Sequence, residues 1–200
     1  MATRLTAAAG AALIGVDAKE LQQEFRRVLA TVALVPLRGS EAMGFRELLY
    51  FRVVGCLGEQ GVRLTHEQKR EIYTVFERHP ATPKSRWLRQ EGKLVLRGAV
   101  PLSVDLTSVS RDLRYRYRLF QRPQELVERN PAICSGQLVF RGTRIPVAVV
   151  VEQLRAGVSR QELEQDFPLL SSSALDYAEI QARLPKPPGR PRQILRVRRG

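Results

Sequence analysis

The spacing of hydrophobic residues divides the N-terminal part of the chain into helices. Thr6 is a candidate N-cap for an alanine-rich helix that ends near Ile14, where Gly15 interrupts the pattern. Asp17, with Glu20 three residues later, forms a capping box that opens a second helix. The apolar positions of that helix are Leu21, Phe25, Val28 and Leu29. Two helices joined by a short glycine turn have the form of a helix-turn-helix, and an ordinary helical hairpin fits this segment equally well.

Two further helices and one strand are predicted before residue 80. Residues 45–57 are apolar over most of a helical surface, so this helix should be central and buried. A capping box of Thr65 and Gln68 opens the next helix, at 66–76. The short β-branched run 32–37 lies between proline and glycine signals and is predicted to be a strand at the wing.

The pattern from 81 to 123 favours β-structure. Residues 93–96 and 100–106 predict two strands around an intervening turn. In the segment 111–122 apolar residues alternate with arginines, which predicts a strand with one apolar face and one cationic face. The cationic face can contact phosphates, whereas the tyrosines are better explained by a half-buried strand with a solvated edge.

Turn and capping signals follow one another closely between residues 124 and 184. A possible strand at 125–129 and a short strand at 138–140 predict a β-ribbon, and three helices are predicted after it. The residues that begin or end these helices are Pro146, Gly157, Ser159 with Glu162, and either Ser171 or Ser172. This segment is therefore predicted to be a small three-helix domain introduced by a β-ribbon.

These elements predict a mainly α protein with small β elements, in the α+β class. The organisation we expect is a winged helix-turn-helix domain at 1–80, a β-rich connector at 81–123, the three-helix domain at 124–184 and a tail at 185–200. The tail has no acidic residue and is rich in proline and arginine, so it is predicted to be a disordered basic arm.

The net charge of the chain indicates the kind of partner to expect. The chain has 33 Lys and Arg against 20 Asp and Glu, a net charge of +13. Such an excess suggests a polyanionic partner, most simply nucleic acid. Two distant cysteines, Cys56 and Cys134, exclude a disulfide scaffold and favour a reducing cytoplasm. No apolar run is long enough to span a bilayer, and the N-terminus lacks the layout of a signal peptide.

Candidate chemistry is sparse. The sequence contains no nucleophile–histidine–carboxylate set, no paired carboxylates at a strand end, no glycine-rich phosphate loop and no spacing typical of metal ligands. His66 and His79 lie far from both cysteines, and we interpret both as structural. We therefore expect a binding protein, with no catalytic residues, no metal and no cofactor.

The C-terminal part resembles a known family. The segment NPAICSGQLVFRGTRIPV and the helices after it are similar to the domain-of-unknown-function 433 family. The core motif comprises Gly142, Thr143, Arg144, Ile145, Pro146 and Val147, and the middle of the pattern fits Gly157, Ser159, Phe167 and Pro168. We expect the motif to be structural, because Gly142 supplies a backbone geometry that larger residues resist and Pro146 sets a helix start.

The N-terminal part also resembles a family type. The segment GFRELLYFRVVGCLGEQGVRL is similar to a MerR-like winged helix-turn-helix, and antitoxins of the VapB type pair such a domain with the C-terminal one. This resemblance implies a homodimeric antitoxin that represses its own operon by binding operator DNA. It also implies a PIN-domain ribonuclease toxin as partner, within a larger toxin–antitoxin assembly. The residues of the second helix that can reach a DNA groove are Lys19, Gln22, Gln23, Arg26 and Arg27.

The basic tail has two possible roles. A PIN-domain site is acidic and holds metal, so tail arginines can pair with its carboxylates. The arginines in question are Arg190, Arg192, Arg196, Arg198 and Arg199. Alternatively, residues 188–192 resemble the core of an AT-hook, which binds A·T tracts in the minor groove. The alternative function is then a stand-alone DNA-binding regulator or a nucleoid-associated protein.

Overall fold

The computed structural model describes residues 5–29, 43–77, 86–97 and 102–186. The predicted wing strand at 32–37, the residue His79 and the tail arginines lie outside the described residues. Within them the chain is mainly helical with two small antiparallel sheets, so the predicted fold class is confirmed.

The described part contains eight α-helices and five strands. The helices are α1 (Ala7–Ile14), α2 (Ala18–Glu24), α3 (Phe45–Glu59), α4 (His66–Glu77), α5 (Leu106–Gln121), α6 (Val147–Arg155), α7 (Arg160–Asp166) and α8 (Ser172–Arg183). The strands are β1 (Trp87–Gln90), β2 (Lys93–Leu96), β3 (Leu102–Asp105), β4 (Val127–Arg129) and β5 (Leu138–Phe140). Helix α2 continues as a π-helical turn over Phe25–Leu29. None of these helices is both long enough and apolar enough to cross a membrane.

The first two helices begin and end where the sequence predicts. The Thr6 hydroxyl accepts the Ala9 N–H at the start of α1, and Gly15 ends the helix in the left-handed conformation, with φ of 78°. The Asp17 carboxylate accepts N–H groups of the first turn of α2. Almost every residue of α1 is buried, and this helix contacts α3, α5 and α8. Small alanine side chains allow this close approach from several sides.

The prediction of a strand at 111–122 is wrong, because these residues belong to α5. The Asp105 carboxylate accepts two N–H groups of the first turn and so starts a helix at Leu106. From there Leu106, Val109 and Leu113 recur at helical spacing and pack into the core. The alternation of arginines with apolar residues spans too few positions to outweigh that longer pattern. The arginines therefore lie on a helix, not on the edge of a sheet.

The three-stranded sheet has the order β1-β2-β3, with both pairs antiparallel. The predicted strand at 93–96 is confirmed as β2, and the described part of its neighbour begins at Leu102. Strand β1 was not predicted, and Trp87 in it is completely buried. Trp87, Leu94 and Val104 form the inner face of the sheet.

The C-terminal segment follows its local signals closely. Strands β4 and β5 form the predicted ribbon. Ser159 and Glu162 make a reciprocal capping box at α7, in which the Glu162 carboxylate accepts the Ser159 N–H at 2.8 Å. Ser171, rather than Ser172, caps α8. Gly157, with φ of 92°, follows the end of α6.

Two hydrophobic clusters share helix α8. The first is formed by α1 to α5 and β1 to β3, and it includes Ile180. The second is formed by the ribbon and α6 to α8, and it includes Leu175 and Tyr177. Helix α8 thus packs one side against α6 and another against α1 and α5. The boundaries proposed at 80, 123 and 184 stay predictions.

Candidate nucleic-acid interface

The five residues predicted to bind DNA lie on α2 and on the π-helical turn that extends it. Lys19, Gln23, Arg26 and Arg27 are exposed, whereas Gln22 is half-buried. Positions 19, 23 and 26–27 are separated by one helical turn each, so their side chains share one side of the element. The opposite side carries Leu21, Phe25 and Val28, which are buried. The structure thus presents four of the five residues to solvent.

Helix α2 is held in place partly by a polar contact. The Glu24 carboxylate pairs with Lys69 Nζ of α4 at 2.8 Å, and both side chains are only 20% exposed. Tyr50 of α3 lies beside Glu24; burial raises the pKa of the Tyr50 hydroxyl far above its ordinary value, and the Glu24 charge raises it further. Glu24 therefore faces the protein interior, and Glu20 stays exposed on α2.

A second buried carboxylate fixes α3 against α4. Glu47 accepts the Tyr73 hydroxyl proton at 3.1 Å and the Gly44 N–H at 2.8 Å, and it pairs with Arg46 at 3.2 Å. Tyr50 and Tyr73 also meet edge to face, with ring centroids 5.4 Å apart. These contacts hold α3 and α4 together.

Helix α4 adds charge next to α2. Arg27, together with His66, Glu67 and Arg70 of the first turns of α4, lines a shallow open concavity. His66 is exposed, and its position beside Arg27 and Arg70 was not predicted. The sequence did contain a signal for this position: His66 and Arg70 are four residues apart, so they lie on the same face of α4. An anionic ligand at α2 would meet these side chains as well.

The GTRIPV motif forms the turn between β5 and α6. Gly142 adopts φ of 73°, and its N–H donates to Glu128 Oε1 at 3.1 Å. The Thr143 hydroxyl donates to the Phe140 carbonyl at 2.9 Å and accepts the Ile145 N–H at 3.1 Å. The two Thr143 bonds close the turn itself, and the Gly142 bond ties the turn to strand β4, which agrees with a structural role for the motif.

Two other residues of the motif, Pro146 and Arg144, behave differently from each other. Pro146 occupies the N-cap position of α6 and forms an isolated β-bridge with Val139. Arg144 is exposed, and within the described part of the chain its side chain makes no hydrogen bond or ion pair, while its carbonyl accepts the Cys134 thiol at 3.2 Å. The Arg144 side chain is thus oriented to solvent and is available to a partner.

An open groove lies beside the point where the chain leads into residues 187–200. Its volume is about 880 Å³. Its apolar lining includes Leu138, Val147, Val151 and Leu184, and its charged lining includes Arg129, Arg155, Glu152 and Lys186. Glu152 accepts hydrogen bonds from Lys186 at 2.8 Å and from Arg155 at 2.7 Å, and these bonds lower the Glu152 pKa. The groove therefore combines an apolar floor with a net cationic rim.

The site surfaces contain no metal-ligand cluster within the part of the chain that the structure describes, where no three His, Cys, Asp or Glu side chains lie close enough to hold an ion. The functional groups on these surfaces are mainly guanidinium, ammonium and amide groups, together with the His66 imidazole and the carboxylates of Glu67 and Glu152. Chemically, these surfaces can neutralise and orient an anionic partner.

The fold and these surfaces define a mainly helical α+β protein with exposed cationic faces. Over residues 127–178 the chain matches the family model described as "Protein of unknown function (DUF433)". The match confirms the resemblance for the C-terminal part and covers about a quarter of the chain. No curated protein and no solved structure matches the chain. The MerR-like and VapB-type resemblances stay predictions.

Proposed function

We propose that the protein is the antitoxin of a type II toxin–antitoxin system, which binds operator DNA and neutralises a PIN-domain ribonuclease. The observation that carries the proposal is the outward face of α2, where Lys19, Gln23, Arg26 and Arg27 are exposed beside Arg70 of α4. The C-terminal family match and the net charge of +13 are consistent with it.

The DNA-binding step uses two kinds of side chain. Lysine and arginine neutralise phosphates and position the protein, while an amide such as that of Gln23 can form paired hydrogen bonds to adenine in the major groove. In a homodimer, two copies of α2 would face half-sites of a palindrome. The Glu24–Lys69 ion pair ties α2 to α4, so α2 and the charged side chains of α4 would meet that groove together.

The toxin-binding step uses the C-terminal end. Guanidinium groups form paired hydrogen bonds with carboxylates, so the arginines of the tail suit the acidic, metal-holding site of a PIN-domain ribonuclease. The groove at Leu184 adjoins the start of that tail and offers an apolar contact for the same partner. A tail and a groove together can bind more tightly than either one alone.

The DNA-binding step is tested by replacing Arg26 and Arg27 with alanine in the full chain. We expect affinity for a duplex of the upstream promoter to fall roughly tenfold or more, and the slope of log affinity against log salt to flatten by about 2. The charge-matched control is Arg63→Ala with Arg97→Ala, both exposed. Unchanged affinity in a gel-shift titration, with an unchanged circular dichroism spectrum, would place the DNA-binding helix elsewhere.

The toxin-binding step is tested by deleting residues 187–200. We expect the truncated protein to keep its promoter affinity and to lose inhibition of a PIN-domain ribonuclease encoded beside its gene. The alternative, a stand-alone regulator with an AT-hook-like tail, gives the opposite result. In that case affinity for A·T-rich duplexes falls in fluorescence anisotropy, and no neighbouring ribonuclease is inhibited by either protein.

A further inference from the structure

One outward face of α5 carries a row of arginines that the proposed function does not use. Arg111, Arg114 and Arg118 are all exposed, and they follow one another at intervals of three and four residues. At a rise of about 1.5 Å per residue, the row extends roughly 10 Å along the helix axis. Leu106 and Leu113 on the other side are buried in the core, so the helix cannot turn this face away from solvent.

The acidic groups near this row are engaged elsewhere. Asp112 pairs with Arg116 at 3.5 Å, and the half-buried Asp176 accepts the Tyr115 hydroxyl at 2.7 Å and Arg160 Nη1 at 2.6 Å. In the described ranges of the chain, no carboxylate lies within ion-pair distance of Arg111 or Arg118. The row therefore presents positive charge that the fold itself does not neutralise.

The row also has a defined geometry. The Arg114 guanidinium lies over the Phe45 ring, 5.5 Å from its centroid, which restrains that side chain. Arg111, Arg114 and Arg118 line a shallow concave surface together with Thr107, Ser108, Asp112 and Tyr115. The Asp112 carboxylate in this surface is the one that pairs with Arg116. Arginines spread along a rigid helix, with hydroxyl donors at one end, match the groups that contact sugar–phosphate backbones.

We propose that this face of α5, the arginine row, is a second nucleic-acid contact, which binds the phosphate backbone of a duplex without regard to sequence. Duplex DNA carries one phosphate charge per about 1.7 Å of its axis, so several phosphates lie within reach of three arginines over about 10 Å. The inference rests on the proposed DNA-binding function and adds to it a surface distinct from α2.

An acidic protein is the less suitable partner for this surface. The centre of a stable protein interface is usually apolar or aromatic and loses its water on binding. The aromatic side chains beside the row are Tyr115 and Phe45, and both are half-buried. The Tyr115 hydroxyl is already engaged by Asp176, and the Phe45 ring is covered by the Arg114 guanidinium. A phosphate backbone needs charge and hydrogen-bond donors but no apolar centre, and this face supplies those groups.

The test replaces Arg111, Arg114 and Arg118 with glutamine in the full chain. The charge-matched control replaces Arg63, Arg86 and Arg97, which are exposed and lie outside α5. Fluorescence anisotropy with labelled duplexes of about 30 base pairs, one of promoter and one of scrambled sequence, gives the affinities at several salt concentrations. A labelled poly-L-glutamate is the third probe, and thermal melting verifies that both variants are folded.

We expect the row variant to bind both duplexes roughly tenfold more weakly, by the same factor, and to lose about 2 to 3 units of salt slope. Equal effects of the row and control variants would overturn the proposal, because charge alone would then explain the loss. A loss of poly-glutamate binding as large as the loss of duplex binding would assign the row to an acidic protein and overturn it as well.

The two proposals fail in different ways. If the protein binds the promoter and the scrambled duplex equally well, and the row variant binds both more weakly, the operator-recognition proposal fails and the arginine-row proposal stands. If replacing Arg26 and Arg27 removes promoter preference while the row variant binds normally, the arginine row fails and operator recognition stands.

Discussion

The arginines of the C-terminal segment and those of α5 differ in what they contact. Arg160 in the C-terminal segment pairs with Glu164, Asp176 and Glu179 and also binds Ser172. The Arg155 guanidinium donates to the carbonyls of Gln181, Ala182 and Leu184 at the end of α8. Arg111 and Arg118 of α5, in contrast, are exposed and form no ion pair among the described residues.

This difference shows that the number of arginines in a segment does not indicate their role. An arginine with several acceptors on separate elements holds the fold together, whereas arginines in an exposed row on one helix remain available to a partner. Arg155 and Arg160 thus contribute to stability, whereas we propose that Arg111 and Arg118 contribute to recognition. Amino-acid substitutions can test whether the two regions unfold together and whether their arginines differ in role.

The largest effect is expected from Leu13→Ala. Leu13 is completely buried in α1, and a cavity at such a position lowers the free energy of unfolding by about 3 kcal/mol. Because α8 contributes to both hydrophobic clusters, we expect the two regions to unfold together. Leu13→Ala should then lower the temperature of a single cooperative transition in differential scanning calorimetry. Two transitions, with only one of them shifted, would show that the two regions are independent.

A smaller loss is expected from Arg160→Met, about 1 to 2 kcal/mol, because the variant leaves two half-buried carboxylates without their cation. The matched control is Arg118→Met, which should change the free energy of unfolding by less than about 0.5 kcal/mol. Urea titrations of both variants measure the difference. Equal losses would remove the distinction between the two kinds of arginine.

Gly142→Ala should cost about 1 kcal/mol, because a side chain disfavours the left-handed conformation that Gly142 adopts. Gly58 lies within α3 and has open space around it, so Gly58→Ala should be neutral or stabilising. Thermal melting of the two variants separates a turn that requires glycine from a helix that only tolerates it. A normal melting temperature for Gly142→Ala would indicate that the motif serves binding.

The smallest effect concerns Tyr115 at alkaline pH. Burial, with the hydrogen bond to Asp176, raises the Tyr115 pKa to about 12, from an unfolded value of about 10. The neutral hydroxyl therefore stabilises the fold fully below about pH 10, and this contribution disappears as pH rises towards 12. Tyr115→Phe should make stability fall less steeply over that interval, as measured by urea titrations at successive pH values. An unchanged slope of stability against pH would contradict a raised Tyr115 pKa in the folded protein.

The parts of the fold that sequence could predict are those with local causes. Thr6, Asp17 and Ser159 cap helices through bonds to residues two or three positions away, and Gly15 and Gly142 have conformations that their own turns require. Such signals lie within a few letters of the sequence, so the helix boundaries they define were predicted closely.

The parts that were missed depend on distant residues. The burial of Trp87 requires strands and helices that are separate in sequence, and the side on which Glu24 lies depends on Lys69 of another helix. The assignment of 111–122 to a strand failed because its evidence was a short alternation, while the helix is stabilised by packing against α1, α3 and α8. The exposure of Lys19, Gln23, Arg26 and Arg27 follows from the spacing of an amphipathic helix, whereas Gln22 is half-buried, and the DNA-binding role of these residues stays a prediction.

The shared helix α8 has a consequence for how the chain is made. Helix α1 is almost fully buried, and part of its cover is α8, which is synthesised more than 150 residues later. At typical rates of translation, α8 is synthesised on the order of ten seconds or more after α1. The packing of α1 against α8 can therefore form only after residue 183 has been made, later than the contacts of α1 with α3 and α5.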